Sequence, residues 1–521
     1  MDDQSGLGDC GEHLRRAEYY QAEDMPARAL AELEQAVLAA PAEAEPRISR
    51  ADLLRRQARY SEAELDLAAA MSLAPGNPEP CVIMAQTLAA EKRFGEAMAM
   101  LDRAESIDSS WYRVHLIRGD VRHHAGQPAE AVESYRRAVE LAPRNPEALT
   151  SLAEALVELG DYAGAARLAD SVLSLYPNNP EGRLVRALLH IKADDVETAF
   201  AEFGRAVRLA PDHVRTRVER GFLFLNVDRF EDACQDFRRA LAIDPGNQRA
   251  QCGLGEAAWR SGKIRESIEA YGRAIGGGVA DPEVFLGRAE ALTLAGRREE
   301  AVEDCGRALA LDPGNPDIHA SRGILNMEIG RYDDAMSDLT RAIALDGDLV
   351  EAILARGELR SRQGDVLGST ADFAAAVRLN PDEPDLVARW IRSVADAGDV
   401  TTAVRLLERE LELHAGATIL LLLKADLLLD AKLPAESEAA YREAIDLSPN
   451  DVEPRLRLAE FHEVRHDWQA ALAEYDQAIR IDPSDPFPRL MRAALLEKMG
   501  LGGEAERERE TASALRRWRG R

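Results

Sequence analysis

Cysteine is scarce: five in 521 residues, at Cys10, Cys81, Cys234, Cys252 and Cys305, with no C-x-x-C pair. So small and odd a set excludes a disulfide framework and predicts a reduced, cytoplasmic chain. Long apolar runs are missing too. The most apolar stretch, from Ala417 to Leu423, is seven residues long and stops at Lys424, far short of a bilayer span. No apolar segment follows the acidic start Met1-Asp2-Asp3, so no secretory leader is expected. Positive charge is in deficit, with Lys+Arg 65 against Asp+Glu 92 and a net charge of −27. That balance excludes a nucleic-acid binder, which needs a basic surface, and excludes docking on anionic lipid. What remains is 46% hydrophobic and 30% charged, enough to bury a large core and too apolar for wholesale disorder.

The organising feature is a period. Pro41, Pro75, Pro143, Pro177, Pro211, Pro245, Pro313, Pro381, Pro449 and Pro483 are separated by 34 residues or multiples of 34. Framed from residue 10, the chain divides into fifteen repeats of 34 residues over 10–519. No insertion breaks the frame, so no second domain is expected; 1–9 reads as a flexible N-terminal segment and 520–521 as the C-terminal end. Position 20 of the repeat is Ala in twelve copies, as at Ala29, Ala165 and Ala301, and Ser in the other three. Position 27 is Ala in thirteen, and position 8 is Ala or Gly in fourteen. Larger residues fill positions 11 and 24, as at Leu156, Phe224, Phe203 and Tyr271. Small residues at fixed points of an amphipathic pattern predict two closely approaching helices per repeat. Gly at position 15, as at Gly160 and Gly330, predicts the turn between them. Asn145-Pro146 and Asn179-Pro180 predict a capped start of the next repeat.

On these residues the chain resembles the tetratricopeptide repeat family, whose small residue, aromatic and terminal proline stand here as Ala233, Phe237 and Pro245. The resemblance covers residues 10–519. It implies an all-α solenoid, a right-handed superhelix of stacked helical hairpins with a concave groove, binding proteins rather than catalysing a reaction. The family's Trp at position 4 is absent throughout. Gly276-Gly277-Gly278, and Ile391 and Glu410 at positions that are otherwise small, predict hinges near 276–281 and 384–417.

Fifteen copies in one chain also expose a covariation. Where position 7 is Arg, position 23 is acidic in eight of nine copies: Arg16/Glu32, Arg50/Asp66, Arg186/Glu202, Arg220/Asp236, Arg288/Asp304, Arg322/Asp338, Arg356/Asp372 and Arg492/Glu508. Arg118 with Ser134 breaks the rule. Apolar residues at position 7 face apolar ones, as in Met84/Met100, Leu152/Leu168 and Trp390/Leu406, with Leu458/Glu474 the exception. Direct contact inside a hairpin explains the match, because an unmatched buried charge costs far more than either pairing.

Two histidine motifs call for a metal reading. His462-Glu463-Val464-Arg465-His466 is an H-E-x-x-H, but His462 falls on the packed position 11 and His466 on the turn position, where the required helix should end. Adjacent His123 and His124 point apart on a helix. No metal, cofactor or catalytic group is expected.

The resemblance implies that positions 2, 5, 9, 12 and 13 of the first helix face the groove. Position 9 is acidic in nine repeats, including Glu154, Glu256 and Glu290. Apolar residues interrupt that row at Leu184, Leu188, Ile191, Phe222 and Leu225, with Trp259 and Arg260 just beyond. An apolar anchor rimmed by acid predicts a site for basic peptides or helices of a partner protein, the alternative being that these side chains bury against neighbouring helices or plug a tightly wound groove. The family's clamp for a terminal carboxylate uses Lys, Arg and Asn at such positions, and that pattern is missing. The cationic run Arg516-Arg517-Trp518-Arg519-Gly520-Arg521 offers the alternative of a self-associating scaffold.

Overall fold

The first helix of a repeat opens where a side-chain acceptor meets a proline. Asn145 Oδ1 accepts the Ala148 N–H at 2.9 Å, and Pro146 fills the first helical position. Asn179 and Asp485 cap the helices Pro180–Lys192 and Pro486–Lys498 in the same manner. The helix Pro146–Glu158 closes with the Asp161 N–H bonded back to the Leu156 carbonyl at 2.9 Å and the Gly160 N–H to Val157 at 3.1 Å. These two bonds end a helix around a left-handed residue. All fourteen described residues at position 15 have positive φ, and eight are glycine. Ala58, Lys92, Asp194, Asp228, Lys432 and His466 take the same strained conformation.

The second helix follows at once, and in many repeats position 16 secures it in one of two ways. Asp161 accepts the Gly164 N–H at 2.8 Å, and Asp399 the Thr402 N–H at 3.0 Å. At several repeats with Arg at position 16, it pairs with the acid three residues on: Arg59–Glu62, Arg93–Glu96 and Arg297–Glu300, each at 2.7 Å.

The computed structural model describes residues 5–23, 25–414 and 416–519, in which thirty helices and no strand occur, from Ser5–Ala22 to Gly502–Arg519. Residues 5–9, expected as flexible, belong to the first helix. The chain forms two compact bodies, Met1–Ala257 and Ala258–Arg521, and the division falls inside the helix Gln248–Arg260. Each body is an all-α solenoid of hairpins, in which the two helices of a repeat pack on each other and on the following repeat. No helix among the described residues is long and apolar enough to cross a membrane.

Close helix approach depends on the small positions. Ala63, Ala165, Ala301 and Ala335 at position 20, and Ala70, Ala206 and Ala342 at position 27, are fully buried. A Cβ on Gly119 would lie 2.3 Å from the Tyr135 ring, and one on Gly221 would lie 2.8 Å from Phe237, so in these two repeats glycine at position 8 makes room for the aromatic at position 24. Repeat 12 makes the opposite exchange: Ile391 at position 8 packs with Leu407 at position 24, both buried. Its Glu410, at the usual alanine position 27, is buried with His414 Nε2 3.7 Å away. At the Gly276–Gly278 run, the helix Ile264–Gly276 ends one residue before its counterparts, and Gly278 has φ +95°.

The position 7–23 covariation is a row of buried, bidentate ion pairs. Arg50 donates to Asp66 through Nε and Nη2, both at 2.6 Å, and Arg288 to Asp304 at 2.6 and 2.7 Å. Arg220–Asp236, Arg322–Asp338 and Arg356–Asp372 repeat the geometry. Arg492 reaches Glu508 at 3.0 Å, whereas Arg186 comes only within 3.7 Å of Glu202. Arg16/Glu32 is a correction. Glu32 is taken by His13 Nδ1 at 2.6 Å, and Arg16 pairs instead with Glu12, one turn back on its own helix.

A second side chain, at position 4, converges on the same acid. Arg183 meets Glu202 at 3.1 Å, Arg217 meets Asp236 at 3.4 Å and His319 meets Asp338 at 3.2 Å. Arg455 meets Glu474 at 3.1 Å, which accounts for the Leu458/Glu474 exception. The position 4 side chain also ties down the preceding turn: Arg183, Arg217 and Gln251 each donate to the carbonyl of the proline six residues earlier, at 2.7–2.8 Å. Polar side chains thus bridge two repeats where the family has its tryptophan. The other exception, Arg118, turns to the previous repeat, donating to Glu105 at 2.6 Å and Asp102 at 2.9 Å.

Lys92→Gly and Ala58→Gly are each expected to stabilise the chain by about 0.5–1 kcal/mol, the left-handed penalty of roughly 1–2 kcal/mol less the entropy glycine adds. Thermal melts check this, and a lowered midpoint for Lys92→Gly would contradict it. Asp304→Ala alone strands Arg288 and should cost about 3–5 kcal/mol, while Arg288→Leu with Asp304→Leu should be near neutral. Hydrogen exchange within repeat 9 is the suitable readout, because long repeat arrays do not unfold in two states. Equal loss of protection in both variants would remove the pairing argument.

Candidate functional site

In the first body the expected apolar anchor is partly core. Leu184 is wholly buried with Ala187, Ala199, Phe203 and Leu223, while Leu188 and Ile191 pack half-buried against that cluster. Leu225 is buried as well. Leu184 and Leu225 therefore fill their hairpins and present no surface to a ligand, a correction to the expected site. Phe222 is half-buried, edge-on to Phe237 at 5.1 Å, with the Arg249 guanidinium 4.9 Å above its ring. Arg249 is held in turn by Glu219.

The acidic row of this body is largely matched within the fold. Glu154 is held by Arg215, two repeats away. Asp120 accepts the Tyr135 hydroxyl at 2.8 Å, and burial pushes its carboxyl above the ordinary range. Asp52 pairs with Arg55 at 2.8 Å and with Arg56. A cavity of about 490 Å³ lies among Asp120, His124, Tyr135, Glu154, Arg215 and Arg249. Glu256 is half-buried. His123 Nδ1 faces Glu158 at 3.2 Å, and His124 Nδ1 faces the Asp120 carbonyl at 2.7 Å.

The second body contains Trp259, Arg260 and Glu290. Trp259 and Glu290 line a cavity of about 440 Å³ across repeats 8 to 11. Leu286, Leu294 and Ile324 line it as well, and Asp317, Glu328 and Glu351 add carboxylates. Trp259, Leu286, Glu290, Leu294, Asp317, Ile324, Glu328 and Glu351 all occupy positions 2, 5, 9, 12 or 13 of their repeats. Leu294 is 67% exposed. Glu328 accepts from Arg298 at 2.6 Å. Neither Asp317 nor Glu351 has an ion-pair partner among the described residues. Glu290 sits at the surface but is crowded by the cavity walls; this desolvation raises its pKa, against the lowering pull of Arg260.

Sequence reasoning missed Leu286, Leu294, Ile324, Asp317, Glu328 and Glu351, although the groove positions they occupy were already defined. A further cavity, of about 520 Å³ near repeats 12 to 14, is lined by Ile419, Leu422 and Leu423 together with charged side chains, several of them paired. There Arg392 and Arg457 meet Asp426 at 2.9 and 2.8 Å.

The H-E-x-x-H segment does not form one helical face. Its helix stops at Val464, His462 is buried, and His466 lies in the left-handed turn against Trp468. Glu463 accepts from the Tyr475 hydroxyl at 2.7 Å and from Lys498 at 2.8 Å. Among the described residues, no three His, Cys, Asp or Glu side chains are grouped to hold a metal. Cys10, Cys81, Cys234 and Cys305 are buried, and Cys252 is half-buried. Burial pushes the Cys305 thiol up to about 12. Of the cationic run, the side chains of Arg517, Trp518 and Arg519, and the whole of residues 520–521, lie outside the described residues.

The fold is that of an all-α helical-repeat protein. The tetratricopeptide repeat family matches residues 54–116 and 123–189, and again 184–248, 252–316, 389–452 and 422–486. These segments make up well over half of the sequence, and the chain belongs to that family. Tetratricopeptide arrays serve as protein-interaction scaffolds, and membership supports that class of function here. No curated protein matches the chain. Among solved structures it is similar to YrrB, a tetratricopeptide protein with an unusual peptide-binding site, at 17% identity over 36% of this chain and 95% of that one, TM-score 0.33. It is also similar to the Cut9–Hcn1 hetero-tetramer of the APC/C, at 14% identity over 85% and 95%, TM-score 0.37. A third is PilF of Pseudomonas aeruginosa, at 20% identity over 40% and 94%, TM-score 0.34.

Proposed function

We propose that this chain is a non-catalytic scaffold that binds basic, amphipathic segments of partner proteins, gripping them at the cavity of repeats 8 to 11. One observation carries the reading: an apolar floor of Trp259, Leu286, Leu294 and Ile324 lies beside carboxylates, two of which, Asp317 and Glu351, have no cation of their own among the described residues. An exposed apolar hollow rimmed by charge suits one large side chain flanked by cations. Carboxylates without internal partners attract those cations without first breaking an ion pair. Elsewhere on the acidic row, at Glu154 and Asp426, a partner's cation would have to displace an arginine already in place. The cytoplasm, where the scarce thiols stay reduced, is the compartment this reading assumes.

The test is fluorescence anisotropy of labelled peptides in which one Trp or Leu is flanked by Arg or Lys, against equally charged peptides lacking the apolar residue. The apolar-basic peptides should bind and should weaken steeply with salt. Asp317→Lys with Glu351→Lys should weaken them by about tenfold or more, as should Leu294→Glu. Affinity should also begin to fall at a pH above the ordinary carboxylate range, because Glu290 protonates early and loses the charge that attracts a cation. Unchanged affinity in both variants, or binding that ignores salt, would overturn the assignment.

A further inference from the structure

A cavity of this kind asks for a ligand combining an indole-sized apolar group with several cations, and this chain carries one. Residues 511–521 contain no acid, yet hold Arg516, Arg517, Arg519 and Arg521 around Trp518, in a chain of net charge −27. We propose that the Arg516–Arg521 segment of a second copy docks in the cavity of repeats 8 to 11, with Trp518 against Trp259, Leu286, Leu294 and Ile324 and its arginines toward Asp317 and Glu351. The inference rests on the reading of that cavity as a peptide site and names its occupant.

Two observations favour a second copy over the chain's own end. The last helix, Gly502–Arg519, is anchored in repeat 15: Ala505 and Ala512 are buried, and Glu508 is held by Arg492 at 3.0 Å and Arg489 at 3.3 Å. From Ala512 to Trp518 the chain spans at most about 20 Å even if fully extended. Four stacked repeats, at roughly 8–10 Å between packed helices, separate repeat 15 from repeat 11 by about 30–40 Å. Cavity and segment are also different surfaces of one chain, so the contact is head-to-tail. It leaves a free cavity at one end and a free segment at the other, and it propagates into open chains unless a ring closes.

The chemistry is sequence-specific at one point. A run of arginines alone would be attracted by the net charge but would gain nothing from the apolar floor. Trp518 supplies that burial, about 150–250 Å² of aromatic surface. The tryptophan therefore sets affinity and the arginines set salt dependence.

Sedimentation of the full-length chain at low salt tests this directly. The parent should associate with rising concentration, and both Trp518→Ala and the cavity variant Asp317→Lys/Glu351→Lys should shift association to at least about tenfold higher concentration. Mixing the two variants should yield a complex no larger than a 1:1 dimer, since one supplies an intact cavity and the other an intact segment. A synthetic peptide of residues 508–521 should bind the parent and cap its assembly. A parent that stays monomeric, together with a 508–521 peptide that binds no better than its scrambled form, overturns the inference. If unrelated apolar-basic peptides still bind the cavity in that case, the proposed scaffold function stands and only the occupant is wrong; if none binds, both fall.

Discussion

Everything in this molecule depends on how closely the two helices of a repeat can approach. Fully buried alanines at positions 20 and 27 set that distance, and position 8 adjusts it, vanishing to glycine under Tyr135 and Phe237 and growing to Ile391 opposite Leu407. Because interiors pack at crystal-like density, a change of size at either position must be met by the side chains around it. That is why the frame tolerates Phe, Tyr, Leu or Cys at position 24 yet never shifts by a residue. A one-residue slip would rotate large side chains onto the contact line and force the helices apart.

Charge enters the same interior under a stricter rule. Asp304 is only 1% exposed at its side chain, and it is kept there by Arg288 donating to both of its oxygens and by Arg307 at 2.7 Å. Repeats that carry Leu152 with Leu168, or Trp390 with Leu406, show that an apolar contact fills the same space. What the ionic version adds is reach. The acid at position 23 gathers a second cation from position 4, and that cation also holds the preceding proline carbonyl, so one buried carboxylate organises a hairpin and the turn before it. Much of the chain's acidity is therefore spent inside the scaffold, and net charge alone overstates what the surface offers a partner.

The same distinction explains which parts of the molecule could be read from sequence. The frame, the left-handed turn and the position 7–23 contact each recur many times, and recurrence turns one chain into its own alignment. The turn was legible even at His466, where it dissolves an apparent zinc motif. The position 4 partner was equally present at a spacing of nineteen but went unread, because position 4 was noticed only for its missing tryptophan. The binding surface resisted for a different reason. Leu184 and Leu225 occupy nominal groove positions yet lie buried, Leu184 in a cluster with Phe203, whereas Leu286 and Leu294 occupy positions of the same kind and line an open cavity. Exposure at a fixed repeat position is decided by the sizes of its neighbours, which no single position records.

Pairing of surface acids is still less local. Glu154 is neutralised by Arg215, sixty-one residues on, and Glu358 by Arg389, thirty-one on. A row that reads as uniformly acidic becomes, once folded, a series of satisfied pairs with gaps. The gaps are where recognition is favourable, because binding a cation at a satisfied pair trades one ion pair for another and gains little. At the proposed site, binding at Asp317 or Glu351 would create a contact that the free protein lacks. The apolar hollow beside them supplies the burial that charge alone cannot, since surface ion pairs contribute little by themselves. Specificity in such a scaffold thus follows less from where acid is plentiful than from where the fold has left acid unmatched beside exposed apolar surface.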